Sequence, residues 1–352
     1  MTSASIYALF REIAKIIEKL LRMKFICFDL EGPLSPQDNA YELMKRIKPN
    51  GDRIFEIISR YDDLLTIQGR KGYEPGETLA LIVPFLIYHN ISEADMREAS
   101  EEAKLIDGAR DLVAMLIDRG WWIGDITTCY EQYGYPITQR IGIPPENVSC
   151  TRCRLDQYRS AFREKDFTEI RQLEKDILAM HNVTDDEEII SKLDCFYWGE
   201  NTNPIVRKIL AEVKPMGGRR KAEMLKEFAE INQQSMDSIV VVGDSITDSK
   251  MLNLVDKAGG LAIAFNANEY ALKYATMSLA SVRLDDLWIV LEPWETGGRQ
   301  AIEQVVKERE MAGGTGNREW FHWIADTKDI TRALEIHKKI RRLVREEAAK
   351  LG

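Results

Sequence analysis

Four acids, two threonines and a lysine fall where short apolar runs end. Asp29 and Glu31 follow Lys24-Phe25-Ile26-Cys27-Phe28, and Thr127 and Thr128 follow Trp121 to Ile126. Asp244 follows Ser238-Ile239-Val240-Val241-Val242-Gly243, Asp248 comes one helical turn later, and Lys221 opens the helical stretch before that run. Asp29 and Asp244, brought together, would repel unless a divalent cation sat between them. Hard carboxylates with a phosphate ligand suit Mg²⁺, which keeps waters and takes few protein ligands. An aspartate beside such a cation is a poor acid but a usable nucleophile towards phosphorus, giving an aspartyl-phosphate. Transfer in two steps needs a second acid to protonate the leaving oxygen and then deprotonate the attacking water. Glu31, two residues along, is placed for that work. The transferring oxygens need donors and positive charge, which Thr127 and Lys221 supply.

Open α/β sheets gather such groups at the carboxyl ends of strands, and the surrounding sequence has that organisation. Apolar runs at 24–28, 121–126, 238–242 and 260–265 read as buried strands, the Val-rich one of parallel type. Helical patterns separate them, including Ala109 to Asp118, stopped by Gly120, and Arg220 to Ile231. From about Asn39 to Leu116 the pattern is helical. Pro84 is expected to kink the apolar stretch Leu79 to Tyr88, and Ser92 with Asp95 is a capping signal. Strands alternating with helices point to a doubly wound parallel sheet of the α/β class. The expected divisions are 1–37 for an N-terminal helix with the first strand and its loop, 38–108 for a helical segment, 109–285 for the α/β core with an insertion at 145–218, and 286–352 for a C-terminal helical extension. In that extension a Gly-rich loop, Ala312 to Asn317, precedes a charged helix pair.

The chain has 352 residues, with 48 Lys+Arg against 57 Asp+Glu for a net charge of −9. At roughly 100–200 residues per domain that length makes about two domains with a full core. The acidic balance argues against a general nucleic-acid binder and leaves room for a local basic pocket. Five cysteines make no disulfide framework and fit a reducing cytosol, so a cytoplasmic location is expected. The apolar positions from Ile6 to Leu21 have helical spacing but are interleaved with Arg11, Glu12, Lys15, Glu18 and Lys19. That helix is too charged for a signal-peptide core or a membrane span and is expected to pack on its own domain. The expected partner is a small phosphorylated molecule, with neither nucleic acid nor membrane.

Phe28-Asp29-Leu30-Glu31-Gly32, Ile126-Thr127-Thr128, Lys221 and Val242-Gly243-Asp244-Ser245-Ile246-Thr247-Asp248, in that order and at those spacings, resemble the four motifs of the haloacid dehalogenase (HAD) superfamily over roughly residues 24–285. The Asp-Leu-Glu-Gly form, followed by a helical segment, is similar to the phosphoserine phosphatase-like branch, and Gly260 to Ala267 resembles that branch too. Glu31 stands where most members have Asp, as in bifunctional phosphoserine phosphatase/homoserine phosphotransferase proteins. The resemblance implies a HAD-like Rossmannoid core under a helical cap at 38–108, and a Mg²⁺-dependent phosphatase acting on a small phosphorylated metabolite through an aspartyl-phosphate. It makes Asp29 the nucleophile and a metal ligand, and Glu31 the acid/base with its backbone carbonyl at the metal. Asp244 becomes a metal ligand, with Asp248 holding the metal's waters or Lys221. Thr127, Thr128 and Lys221 become phosphate ligands, although Thr128 also reads as an ordinary helix-start hydroxyl and Lys214 competes with Lys221 for the third motif. The cap cations Arg46, Arg53, Arg60 and Arg70 are the expected contacts to the rest of the substrate. The extra methylene of Glu31 moves its carboxyl by about 1.5 Å. That shift would favour another acceptor over water or slow turnover. A phosphotransferase with the same nucleophile and a non-catalytic binding protein are therefore the rival readings.

Other features have plainer readings. Cys150-Thr151-Arg152-Cys153 has metal-ligand spacing but no second pair, which is weak evidence for zinc. Cys27, Cys129 and Cys195 read as packing residues. His89, His181, His322 and His337 are scattered and none is expected to be catalytic. Trp121-Trp122 reads as core or interface, and so does Trp320-Phe321-His322-Trp323, a candidate contact in a homodimer. The run Lys338-Lys339-Ile340-Arg341-Arg342, balanced by Glu346 and Glu347, reads as a solvated helix face.

Overall fold

Five-residue strands with no exposed side chain belong inside a sheet covered on both faces, and Ile239–Gly243, Leu261–Phe265 and Met277–Ser281 are buried throughout. The computed structural model describes residues 24–180, 186–313, 319–327 and 329–346. The predicted N-terminal helix, His181 and most of the Gly-rich loop lie outside them. Seven strands form one sheet: β1 (Lys24–Phe28), β2 (Trp121–Tyr130), β3 (Val148–Thr151), β4 (Ile239–Gly243), β5 (Leu261–Phe265), β6 (Met277–Ser281) and β7 (Glu319–Trp323). Their order is β3-β2-β1-β4-β5-β6-β7. Every pairing is parallel except β6 with β7. The chain builds outward from β1 to β3, then returns to the other side of β1 with β4. That reversal is the switch point at which doubly wound sheets open a crevice.

Helices α1 (Asn39–Lys45), α2 (Gly51–Ile67), α3 (Thr78–Leu81), α4 (Val83–Tyr88) and α5 (Glu93–Glu101) leave the carboxyl end of β1 as a helical cap. The expected kink is a break, with Pro84 in the first turn of α4, where its missing N–H costs nothing. Ser92 and Asp95 form the predicted capping box of α5. Next, α6 (Ala109–Asp118) leads into β2 and α7 (Glu131–Arg140) into β3. Helices α8 (Leu155–Arg159), α9 (Glu164–Met180), α10 (Asp186–Trp198) and α11 (Pro204–Glu212) come from the predicted insertion. They pack back onto the first group, α9 and α10 against α2 and α11 against α3. Tyr61 of α2 donates its hydroxyl to Asp194 of α10 and accepts from Trp198 Nε1 at 3.1 Å, while Arg70 reaches Asp194 at 2.5 Å. Two sequence-distant segments therefore share one apolar interior, each buried Leu or Ile of which contributes roughly 1.5–3 kcal/mol.

After α12 (Arg219–Ile231), α13 (Ser249–Ala258) and the single turn α14 (Glu269–Leu272), the chain forms α15 (Trp288–Ala312), kinked at Gly298, then β7 and α16 (Thr331–Arg345). The C-terminal extension thus differs from the expected helix pair. Trp320 to Trp323 lie in an antiparallel edge strand that buries Phe321, His322 and Trp323, and among the described residues one helix follows. Strand β2 also runs past its expected end, so Thr128 is a strand residue. No described helix is long and apolar enough to cross a membrane.

Candidate active site

Register decides where the first acids meet. Phe28 pairs with Val242 across β1 and β4, and the Asp29 N–H donates to the Val242 carbonyl at 2.9 Å. Asp29 and Asp244 consequently leave adjacent strand ends side by side. Gly32 then turns the chain with φ +105° past Asp244. A Cβ there would lie 2.4 Å from the Asp244 Cγ, so only glycine lets the loop pass. Asp248 closes the loop after β4, its Oδ2 accepting from the Asp244 and Ser245 N–H groups at 2.9 and 3.0 Å. Its Oδ1 accepts from Lys221 Nζ at 2.7 Å, and the same ammonium lies 2.9 Å from Asp29 Oδ1. Lys221 is fully buried in the first turn of α12. Lys214, its competitor, donates instead to the Leu210 carbonyl.

Asp29, Asp244 and Asp248 each offer an oxygen within 4.8 Å of the others, and they form the metal-ligand cluster found among the described residues. Cys150 and Cys153 are buried and not part of it. The electrostatics are those of several buried carboxylates crowded together, with Lys221 shared between two of them. Burial, then the charges of Asp248 and Asp244, push the Asp29 carboxyl up to about 8 against the pull of Lys221. Burial would depress the Lys221 ammonium, but Asp248 and Asp29 outweigh it and hold it above the ordinary lysine range. Asp29 Oδ1 is buried and receives no well-formed hydrogen bond. A buried carboxylate oxygen without a hydrogen bond, beside two further carboxylates, is a donor set that fits a hard divalent cation.

Glu31 stands at the mouth, its Oε1 accepting from the Asn39 N–H at 2.7 Å at the start of α1. Burial, then the nearby charge of Asp38, push its carboxyl up to about 8, the direction that suits a proton donor at neutral pH. The two threonines differ. Thr128 lines the pocket, with its hydroxyl donating to the Met216 carbonyl at 3.1 Å. Thr127 is fully buried behind it, and its hydroxyl accepts from the Cys129 N–H at 3.3 Å.

The cap wall comprises Phe55, Ser59, Asp62 and Asp63 of α2 with Gly76, Thr78 and Leu79. The four cap arginines do not line it. Arg46 pairs with Glu102, Arg60 with Asp186 and Arg70 with Asp194, while Arg53 is exposed. The pocket's arginines come instead from α16, where the sequence had pointed to a solvated face. Arg341 and Arg345 are 4% and 7% exposed. Arg341 donates to Asp244 Oδ2 and Arg345 donates to the same oxygen at 2.6 Å. His337, Arg341 and Arg345 recur every four residues and so share one helix face, a spacing that does not by itself say which way the face turns. Sequence reading also passed over Asp125, wholly buried in β2 with neither carboxylate oxygen hydrogen-bonded.

No family model matches the chain, and no curated protein does either. Among solved structures, the gene product AF1437 from Archaeoglobus fulgidus is 31% identical over 94% of this chain and 99% of that one, with a TM-score of 0.79. A phospho-aspartyl intermediate analogue of phosphoserine phosphatase aligns at 16% identity over 76% of this chain and 97% of that one, TM-score 0.50. A substrate-bound phosphoserine phosphatase complex aligns at 16% over 75% and 96%, also with a TM-score of 0.50. These last two share the fold, a HAD-type core under a helical cap. The close match along nearly the whole of both chains is of another order: this protein belongs to the same family as the AF1437 gene product.

Proposed function

We propose that the protein is a Mg²⁺-dependent HAD-type phosphatase that hydrolyses a small phosphorylated metabolite through an aspartyl-phosphate on Asp29. The observation that supports this most directly is the convergence of Asp29, Asp244 and Asp248 on one point with Lys221 between two of them. Asp29, Asp244 and Asp248, the last in part through water, would hold the ion. When bound, it supplies positive charge that draws Asp29 back to its carboxylate form and screens the incoming phosphoryl oxygens. Asp29 Oδ attacks phosphorus, and Glu31 gives its proton to the leaving alkoxide. Glu31 then takes a proton from the water that attacks the phosphorus of the Asp29 phosphate, releasing inorganic phosphate and the free carboxylate. Lys221 balances charge on the transferring group, and Thr128 offers a hydroxyl at the pocket wall. Residues of the cap form one wall of the pocket.

Hydrolysis of a generic aryl phosphate with Mg²⁺ tests this reading. The wild-type chain should turn over, and Asp29→Asn should lose at least about a thousandfold in kcat with its fold intact by circular dichroism, as expected when a nucleophile is removed. Mg²⁺ binding without turnover on a broad phosphomonoester panel would leave the non-catalytic reading in its place. Turnover that appears only with an added alcohol acceptor would identify a phosphotransferase.

A further inference from the structure

The proposed metal site carries two cations that its chemistry does not require. Arg341 and Arg345 reach it from α16, about a hundred residues beyond Asp244, and both guanidiniums donate to Asp244 Oδ2. Arg341 also donates to the Asn266 carbonyl at 3.2 Å, and Arg345 to the Pro36 carbonyl at 3.1 Å. Two positive side chains on one ligand carboxylate satisfy it electrostatically as a divalent ion would. A divalent ion arriving at the same carboxylate would be repelled by both at short range in a buried setting, where screening is weak.

The way α16 is docked makes this opposition matter. Its buried face consists of Ala333, His337, Ile340, Arg341 and Arg345, only two of them apolar. Leu343, by contrast, is left exposed. His337 holds the helix by accepting the Ala267 N–H at its Nδ1, 2.8 Å away. Leu334 and Val344 add half-buried apolar contacts on either side of that face, and among the helix's polar contacts the paired guanidiniums on Asp244 are the ones that reach the site.

We propose that Arg341 and Arg345 act as a built-in cation on Asp244 that a divalent ion must displace, so that docking of the C-terminal helix and metal loading oppose each other. The proposal rests on the metal-dependent reading of the site. It makes the two arginines positioning residues that act through Asp244. Metal-free chain holds α16 clasped over the ligands, and loading frees the arginine side chains and loosens the helix. Substrate, bound to the ion, would meet a site from which those guanidiniums have withdrawn.

Calorimetric titration of the full chain with MgCl₂ alone tests this. Arg341→Gln/Arg345→Gln should bind Mg²⁺ about tenfold or more tighter than wild type, within the usual range of coupling between two sites. The conservative Arg341→Lys/Arg345→Lys chain keeps the charge and should stay near wild type. Equal or weaker binding by the glutamine variant overturns the proposal and leaves the metal reading standing, as would follow if the arginines hold Asp244 in place for the ion or read a second anionic group of the substrate. Absence of Mg²⁺ binding in wild type and variant alike overturns the metal reading itself, and this proposal with it. Hydrogen exchange on the unaltered chain needs no variant to fold. Saturating Mg²⁺ should speed amide exchange in α16 and slow it at 244–248, and slower or unchanged exchange in α16 overturns the proposal.

Discussion

The proposed metal site has two walls made in different ways. One comes from the ends of β1 and β4, neighbours in the sheet whose register places Asp29 beside Asp244 with no freedom to choose otherwise. Asp248 in particular is pinned more than once, accepting two backbone N–H groups as well as Lys221. The other wall is α16, which arrives after an edge strand and touches the site through long side chains. The first wall is backbone made rigid by a parallel sheet, and the second is a helix face whose buried residues are mostly polar. Fixed groups suit the bond-making steps, which need alignment within tenths of an ångström. A helix held by side-chain contacts suits a part that moves.

If the strand-end wall is the rigid one, removing its buried lysine should have the largest effect on stability. Lys221→Met leaves the buried carboxylates of Asp29 and Asp248 without their shared cation. Breaking a buried pair in this way costs about 3–5 kcal/mol. Urea unfolding of the metal-free chain should show that loss. A change under about 1 kcal/mol, the scale of an exposed pair, would mean that the two walls do not differ as described.

The same contrast governs what was legible in the sequence. Strands β1 and β4 are short apolar runs closed by acid or glycine, so both their type and their site residues could be read locally. That Asp29 and Asp244 adjoin follows once β1 and β4 are neighbours, and the parallel topology supplies that. The α16 arginines were not legible, because Lys338, Lys339 and Arg342 interleave with them and a charge run ordinarily faces water. Nothing local says that the His337, Arg341 and Arg345 face turns inward; that depends on β7 first carrying the chain to the edge of the sheet. The partners of the cap arginines were hidden for a similar reason. Asp186 and Asp194 lie 126 and 124 residues from Arg60 and Arg70 and meet them only because two separate segments build one cap.

The α16 wall should also be the one that acid loosens. Burial, then the charges of His322 and Arg341, push the His337 imidazole down to about 3 from an ordinary value of 6.5. A base depressed in the folded state is neutral there while the unfolded chain takes up protons below about pH 6.5. Stability is therefore full above that pH and falls as pH drops towards 3. At pH 5 the difference amounts to about 2 kcal/mol for this one group. His337→Asn keeps an acceptor for the Ala267 N–H without a titrating ring. Thermal unfolding between pH 7.5 and 5 should lose about 2 kcal/mol less in that variant than in wild type. Parallel pH profiles for the two would show that His337 is not what ties α16 to acidity.

The smallest effect is expected at the cap arginines, and it sharpens the comparison from the opposite side. Arg60 is 40% exposed and pairs with Asp186 on the outer side of the cap. Arg345 makes a contact of the same chemical kind, but its carboxylate partner is buried at the site. An exposed pair gains little over two hydrated ions, so Arg60→Ala should move stability by no more than about 0.5 kcal/mol. Because Arg60 does not line the pocket, KM for a phosphomonoester and the Mg²⁺ affinity should both stay at the wild-type value. A raised KM would place Arg60 within reach of substrate in a cap arrangement other than this one. Unchanged constants, set beside a shifted Mg²⁺ affinity at Arg341 and Arg345, would show that position rather than charge decides which arginines of this chain act on the site.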